Sequence, residues 1–314
     1  MIEDVSPSVD GGRYPAKRMV SEPCVVEADI FRDGHQIIRA AIKYRRKADE
    51  SFSEAMMTPL DNDRWRGTFV PTDTGRYLYT VESWTDLFAS WLSDFHKKVT
   101  AGREVHSDLL EGVALIEKIL RTARGHDHEV LADCVERLRR SANEFNTALE
   151  VVSRPEVAAA ALKSADRYGL VHFAPLLELV VDRPKARFST WYEIFVRSQG
   201  TDRSRPATFR EAERCLPGIA DMGFDVLYLT PIHPIGVTNR KGTNNRIVGG
   251  PGSPGSPWAI GNSDGGHDAI DPALGTIADF DHFVATAKTL GLEPALDFAL
   301  QCSPDHPWVR DHPQ

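Results

Sequence analysis

The sequence has few cysteines and none near another: Cys24, Cys134, Cys215 and Cys302 lie far apart, with no CxxC spacing. That pattern argues against a zinc-ligand set or a disulfide framework and predicts free thiols in a reducing cytoplasm, with no metal centre and no cofactor. Long apolar runs are missing too. None approaches the ~18 residues of a membrane span, so no membrane partner is expected. Met1-Ile2-Glu3-Asp4 is acidic where a secretory leader would be basic and then apolar, so no signal peptide is predicted. A basic surplus is also lacking, since 45 acidic against 37 basic residues leave a formal charge of -8. Such a surface repels phosphate backbones and excludes a general nucleic-acid partner, while one local Lys or Arg could still hold a small phosphorylated substrate.

What is present is ordinary for a globular chain: 41% hydrophobic and 26% charged residues over 314 positions, room for two or three domains. Residues 13–105 are expected to form a β-sandwich. Cys24–Phe31, Ile37–Tyr44, Trp65–Val70 and Arg76–Trp84 are β-rich runs separated by Gly and Asp turn signals. Its aromatics Trp65, Tyr77, Tyr79, Trp84, Trp91 and Phe95 suit core packing better than a sugar-stacking face. Residues 106–165 change period and predict a small antiparallel helical bundle inserted into the sandwich, with capping boxes at Asp108-x-x-Glu111 and Ser141-x-x-Glu144 and Pro155 in a first turn. No ionisable residues converge from its apolar faces, which favours scaffolding or subunit contact. Residues 166–187 would hold a return strand (Leu176–Val181) and a linker (Asp182–Lys185).

From 188 to 314 strand and helix alternate. Trp191–Val196, Val226–Leu229 and Glu293–Leu300 are apolar strands, and Thr208-x-x-Glu211 and Thr276-x-x-Asp279 cap the helices between them. Parallel βαβ units follow, as a barrel or a doubly wound sheet. Ligands in such folds meet the loops at the C-terminal strand ends. Two loops qualify. Thr230 to about His267 contains Asn239-Arg240-Lys241-Gly242-Thr243-Asn244-Asn245-Arg246, whose amides and ammonium suit sugar hydroxyls or a phosphate ester; a solvated loop is the alternative. Gln301 to Trp308 follows the third strand, with Asp297 near the strand end needing a partner. Gly250-x-Gly252-x-x-Gly255 matches a dinucleotide fingerprint only formally, because Pro251 and Pro254 deny it a strand-turn-helix setting. His126-Asp127-His128 suits an exposed helix start, and Asp61-Asn62-Asp63 lacks the rest of a calcium loop.

Trp191-Tyr192-Glu193-Ile194-Phe195 and the run from Gly223 to Gly236 resemble the first two barrel strands of the α-amylase superfamily. Asp271-Pro272-Ala273-Leu274-Gly275-Thr276 resembles the stretch before its third strand. Asn239-Arg240-Lys241-Gly242-Thr243-Asn244-Asn245 and Ser256-Pro257-Trp258-Ala259-Ile260-Gly261 resemble one branch, the α-1,4-glucan:maltose-1-phosphate maltosyltransferases. Many amylases carry Asp-x-x-x-Asn-His at the third strand, whereas this chain has Asp297-x-x-x-Gln301-Cys302, the Gln being expected in that branch.

The resemblance implies an N-terminal β-sandwich with helical-bundle insert followed by the first part of a (β/α)8 barrel. Residues 188–314 are about half of the ~250 a closed barrel needs. It also implies retaining transfer of maltosyl units from maltose 1-phosphate to an α-1,4-glucan acceptor, with Lys241, Gln301 and Asn245 on the substrate and Asp297 supporting them from behind. The catalytic carboxylates would come from later strands, so no catalytic residue is expected here and the 314-residue chain alone would be inactive. A homodimer is expected at full length. Another hydrolase or transglycosylase of the superfamily, or a non-catalytic glucan-binding or assembly module, are the alternative readings.

Overall fold

Period-two burial organises the first part of the chain. A computed structural model describes residues 1–141, 143–250 and 252–314, which divide into two units, Met1–Pro184 and Lys185–Gln314. Pro251, one of the two prolines interrupting the glycine motif, lies outside the described residues. In the first unit, strands β1 (Ile2–Ser6), β2 (Ala16–Met19), β3 (Cys24–Ile30), β4 (Ile38–Arg46), β5 (Ser53–Met56), β6 (Thr58–Pro59), β7 (Arg64–Phe69) and β8 (Gly75–Thr85) precede helices α1 (Leu87–Thr100), α2 (His106–Leu120), α3 (Gly125–Arg140), α4 (Phe145–Val152) and α5 (Pro155–Ser164). Strands β9 (Tyr168–His172) and β10 (Leu177–Asp182) follow the helices. One sheet runs β1-β3-β7-β6; the other runs β2-β10-β8-β4-β5, with β9 on β8. Within the second, β10 is parallel to β2 and antiparallel to β8, Leu179 lying between Ala16 and Tyr77. Alternation turns Cys24, Val26, Ala28 and Ile30 inward, into one apolar core with Ile42, Tyr79, Val81 and Leu179 of the other sheet.

Several local expectations are corrected. Ile2–Ser6, ahead of the expected sandwich boundary, is a strand paired with β3. Leu87–Thr100, in the stretch expected to be β, is helical. Asp86 caps it by accepting from the Ala89 N–H at 2.9 Å, and Phe88, Trp91 and Phe95 form a helical stripe that joins the core of the helices rather than that of the sheets. Asp108 does not cap α2, which begins at His106; its carboxylate instead pairs with Lys98, and its carbonyl accepts from Trp91 Nε1 at 2.8 Å. Ser141 ends α3, and α4 starts only after Glu144. Pro155 does occupy the first turn of α5. At Gly112 a Cβ would lie 1.9 Å from the Trp91 ring, so α2 can approach α1 only with glycine there. All six aromatics named above are buried, and the Arg167 guanidinium covers Trp84 at 3.9 Å from its ring centre. None offers a face to a sugar.

In the second unit β11 (Trp191–Ile194), β12 (Val226–Leu229) and β13 (Glu293–Leu296) are parallel and in sequence order. Helices α6 (Phe209–Ala212) and α7 (Leu216–Asp221) separate the first two strands, α8 (Ile277–Thr289) the last two, and α9 (Pro307–Asp311) follows. The capping boxes at Thr208/Glu211 and Thr276/Asp279 both form. Leu227 and Leu229 pack on Phe209, Leu216 and Phe283 in one core. The third strand ends at Leu296, not Leu300. Its neighbour β12 stops at Leu229, opposite Leu296, so Phe298 and Leu300 find no ladder and stand 76% and 83% exposed.

Candidate functional site at the C-terminal strand ends

The parallel ladder fixes where the loops start. Ile194, Leu229 and Leu296 end the three strands side by side, and the Asp297 N–H continues the ladder to Leu229 O at 2.9 Å. Asp297 is half-buried. Trp258 Nε1 donates to its Oδ2 at 2.8 Å, and the Tyr228 phenol lies close enough to feel its charge. Burial first, and then this neighbouring carboxylate, push the Tyr228 phenol above its ordinary pKa. The partner that Asp297 required is therefore an indole.

The loop from Thr230 to Thr276 is pinned at several points. Ile235 bridges to Ile260, both fully buried. Arg240 donates from Nη1 to the carbonyls of Ile235 (2.9 Å) and Gly236 (3.0 Å), and from Nε to that of Ser253 (2.7 Å). Asn239, Asn244 and Asn245 take φ of 54°, 56° and 62°, a left-handed backbone that asparagine accepts more readily than most residues. The second loop docks on the first. Ser303 N–H donates to Ile260 O at 2.7 Å, and Asp305 accepts from the Val237 and Thr238 N–H groups at 2.7 Å each. The Thr238 hydroxyl, which donates at 2.6 Å, and then these N–H groups hold the Asp305 carboxyl down at about 2. A Cβ on Gly236 would come within 2.0 Å of Ser303 Oγ, so the close approach of the loops needs glycine.

The structure places Lys241 half-buried and Asn245 exposed on the first loop, and Gln301 exposed on the second. Among the described residues none of these three side chains has a hydrogen-bond or ion-pair partner, and none bonds another; what joins them is the docking of their loops. A neighbouring cleft of about 980 Å³ contains Arg197, Arg203, Arg205 and Arg240 but none of the three. Three of its guanidiniums are already committed: Arg197 to Asp271 at 3.0 Å, Arg205 to Glu211 at 2.7 Å, and Arg240 to loop carbonyls. His126 and His128 are exposed, and the described residues contain no group of three or more side chains able to hold a metal.

Sequence reasoning missed Trp258 and Asp305 as partners, and His267 and His306, which meet at 3.1 Å. The Asp305-His306-Pro307 run did carry a signal, a polar residue before proline at a helix start.

The family description "Alpha-1,4-glucan:maltose-1-phosphate maltosyltransferase, domain N/S" matches residues 1–183. A curated protein of that name from Myxococcus xanthus is 49% identical over all of this chain and 48% of its own length. Namesakes from Chlorobaculum tepidum and Streptomyces coelicolor are each 44% identical over all of this chain and 47% of their own. The chain thus spans about half the length of the curated relatives it matches. A solved α-amylase from Lactobacillus plantarum is 36% identical over 40% of this chain and 26% of its own, with a TM-score of 0.32. No helix among the described residues is long and apolar enough to cross a membrane.

Proposed function

The chain belongs to the α-1,4-glucan:maltose-1-phosphate maltosyltransferase family, and from that membership we propose the activity of a protein of the relatives' length that carries it. Such a protein transfers maltosyl units from maltose 1-phosphate to the non-reducing end of an α-1,4-glucan with retention. A carboxylate attacks the anomeric carbon and phosphate leaves; a glucan 4-hydroxyl then displaces the carboxylate, with a second carboxyl acting as acid and then base about 5 Å from the first. Neither carboxyl is assigned within residues 1–314. The two-sheet part of the first unit is read as a β-sandwich, the helices as its insert, and the second unit as the opening of a (β/α)8 barrel. Lys241, Gln301 and Asn245 contact the donor, Asp297 holds the floor beneath them, and the enzyme works in the cytoplasm as a homodimer.

The observation that carries this reading is the 49% identity over the whole chain. The loop geometry supports it, because the three nominated side chains have no competing partners among the described residues. The deciding experiment is phosphate release from maltose 1-phosphate, with and without a maltooligosaccharide acceptor, by a protein of the relatives' length. Phosphate release with glucan elongation is expected. Hydrolysis to maltose without elongation, or no turnover, overturns the proposal.

A further inference from the structure

Two imidazoles also join the loops, and their hydrogen bonds run in one direction. His306 is 1% exposed and caps α9, its Nδ1 accepting from the Trp308 N–H at 3.1 Å. With Nδ1 an acceptor, the ring proton must be on Nε2, which lies 3.1 Å from His267 Nδ1. His267 Nδ1 therefore accepts, its own proton sits on Nε2, and that group donates to Ala299 O at 2.7 Å. The chain runs Trp308 N–H to His306, His306 to His267, His267 to the Ala299 carbonyl. Every nitrogen is used and both rings are neutral. A further proton on either ring must displace a bond, either the Trp308 amide from His306 or the His306 donor from His267.

Close glycines hold the His306 ring, and an indole stacks on His267. A Cβ on Gly266 would meet His306 at 2.0 Å and one on Gly261 at 2.5 Å. The His267 ring stacks on Trp308, with centroids 5.7 Å apart and planes at 15°. The titratable groups acting on His306 are His267 and His233, which disfavour its cation, and Asp268, which favours it. His233 lies 5.6 Å from His267 and is tied to Ala269 O at 2.8 Å. Burial, followed by the His267 neighbour, lowers the His306 pKa, so the His306 ring keeps its neutral form more readily than a free imidazole.

We propose that His267 and His306 are positioning residues, a neutral two-imidazole strut that holds the segment from Ala299 to Trp308, and with it Gln301, against the first loop until protonation releases it. The positioning role rests on the proposed reading of Gln301 as a donor contact; the strut itself does not.

The test uses a protein of the relatives' length and follows amide hydrogen exchange in a peptide covering 299–308, corrected for intrinsic pH dependence, with β12 as reference. From about pH 7.5 to about pH 5, across and below the ordinary histidine range, wild-type protection of that peptide should fall about tenfold while β12 is steady. His306→Asn can still cap α9 but cannot reach His267, and His267→Gln can still donate to Ala299 but cannot accept from His306. Both variants should show low protection that no longer depends on pH. In parallel, the KM for maltose 1-phosphate should rise with acid in wild type beyond the rise in His306→Asn, which cancels titration of the substrate phosphate. A pH-independent wild-type profile overturns the strut. A pH-dependent profile with identical KM curves in wild type and variant overturns the positioning role. Normal donor kinetics in Gln301→Ala beside a pH-dependent exchange profile would refute the Gln301 reading alone.

Discussion

Asp305 closes on Thr238 across 67 residues of sequence: its Oδ1 accepts the Thr238 hydroxyl at 2.6 Å and its Oδ2 the Thr238 N–H at 2.7 Å. Ser303 Oγ adds a donor to the same carboxylate at 3.0 Å. This contact locks the loop bearing Lys241 and the loop bearing Gln301 into one structure. It uses an anion to gather donors that face the same point, which a neutral side chain could not do.

Asp305→Asn should therefore loosen both loops. An amide keeps one acceptor oxygen and turns an NH2 group toward existing donors, so the loss should be about 1 kcal/mol, discounted for the clasp's exposure. The sign with pH is fixed, because a carboxyl held at about 2 when folded contributes stability that is present above its unfolded pKa of ~3.9 and lost as pH falls through about 2. Melting temperatures of wild type and variant, compared between about pH 5 and about pH 2, should converge in acid. A constant gap would show that the carboxylate charge is not what holds the loops.

For Lys241 and Gln301 the expectation is kinetic. In a protein of the relatives' length, Lys241→Ala and Gln301→Ala should each lower kcat/KM for maltose 1-phosphate by about 2–10-fold, the equivalent of a lost hydrogen bond of about 0.5–1.5 kcal/mol, and by more where a charge is involved. Asn245→Gly isolates its side chain cleanly, since φ there is 62° and glycine accepts that backbone without strain. Wild-type kinetics in both alanine variants would remove the assignment.

Asp297 separates a structural carboxylate from a dispensable one. Asp297→Ala leaves the Trp258 Nε1–H without its acceptor, a cost of about 1–3 kcal/mol if that donor stays dry. Asp297→Asn keeps one oxygen and should lose less, and Trp258→Phe in the alanine background should recover part of the deficit. Urea denaturation read by tryptophan fluorescence checks the order. Equal stability of all three variants and wild type would show that the indole donor reaches water instead.

Much of this was legible because local rules agreed with tertiary ones. Thr208 and Thr276 each stand three residues before an acid and each forms its box, and Val226–Leu229 is rich in apolar residues because Leu227 and Leu229 face the helices. The errors share a different cause. Phe88, Trp91 and Phe95 favour strands by composition, and only their spacing and the cap at Asp86 make them helical. Asp108 fitted a box by spacing, but its carboxylate was taken by Lys98 and its carbonyl by Trp91, neither predictable from nearby sequence. At the site, loop carriers could be nominated because strand ends are readable. The partner of Asp297, and the contacts of Asp305 and His306, span tens of residues and depend on how the loops fold.

The two units should differ in resistance to protease. Met1–Pro184 contains a sheet core and a helical core of its own. In Lys185–Gln314, β11 and β13 each pair only with β12 among the described strands, so each outer strand has a strand neighbour on one side only. Trp191, Phe298 and Leu300 are 54%, 76% and 83% exposed beside those edges, apolar surface that invites association rather than stable monomeric folding. Limited proteolysis of the 314-residue chain should cut near Asp182–Lys185 and leave a soluble piece ending there, while the remainder is digested or aggregates. The same edges should be protected in a protein of the relatives' length if further strands cover them, so β13 peptides should exchange more slowly there than in the shorter chain. Equal protease resistance on both sides of residues 182–185, in a chain that sediments as a monomer, would mean that three parallel strands with their helices are stable alone and that the edge argument is wrong.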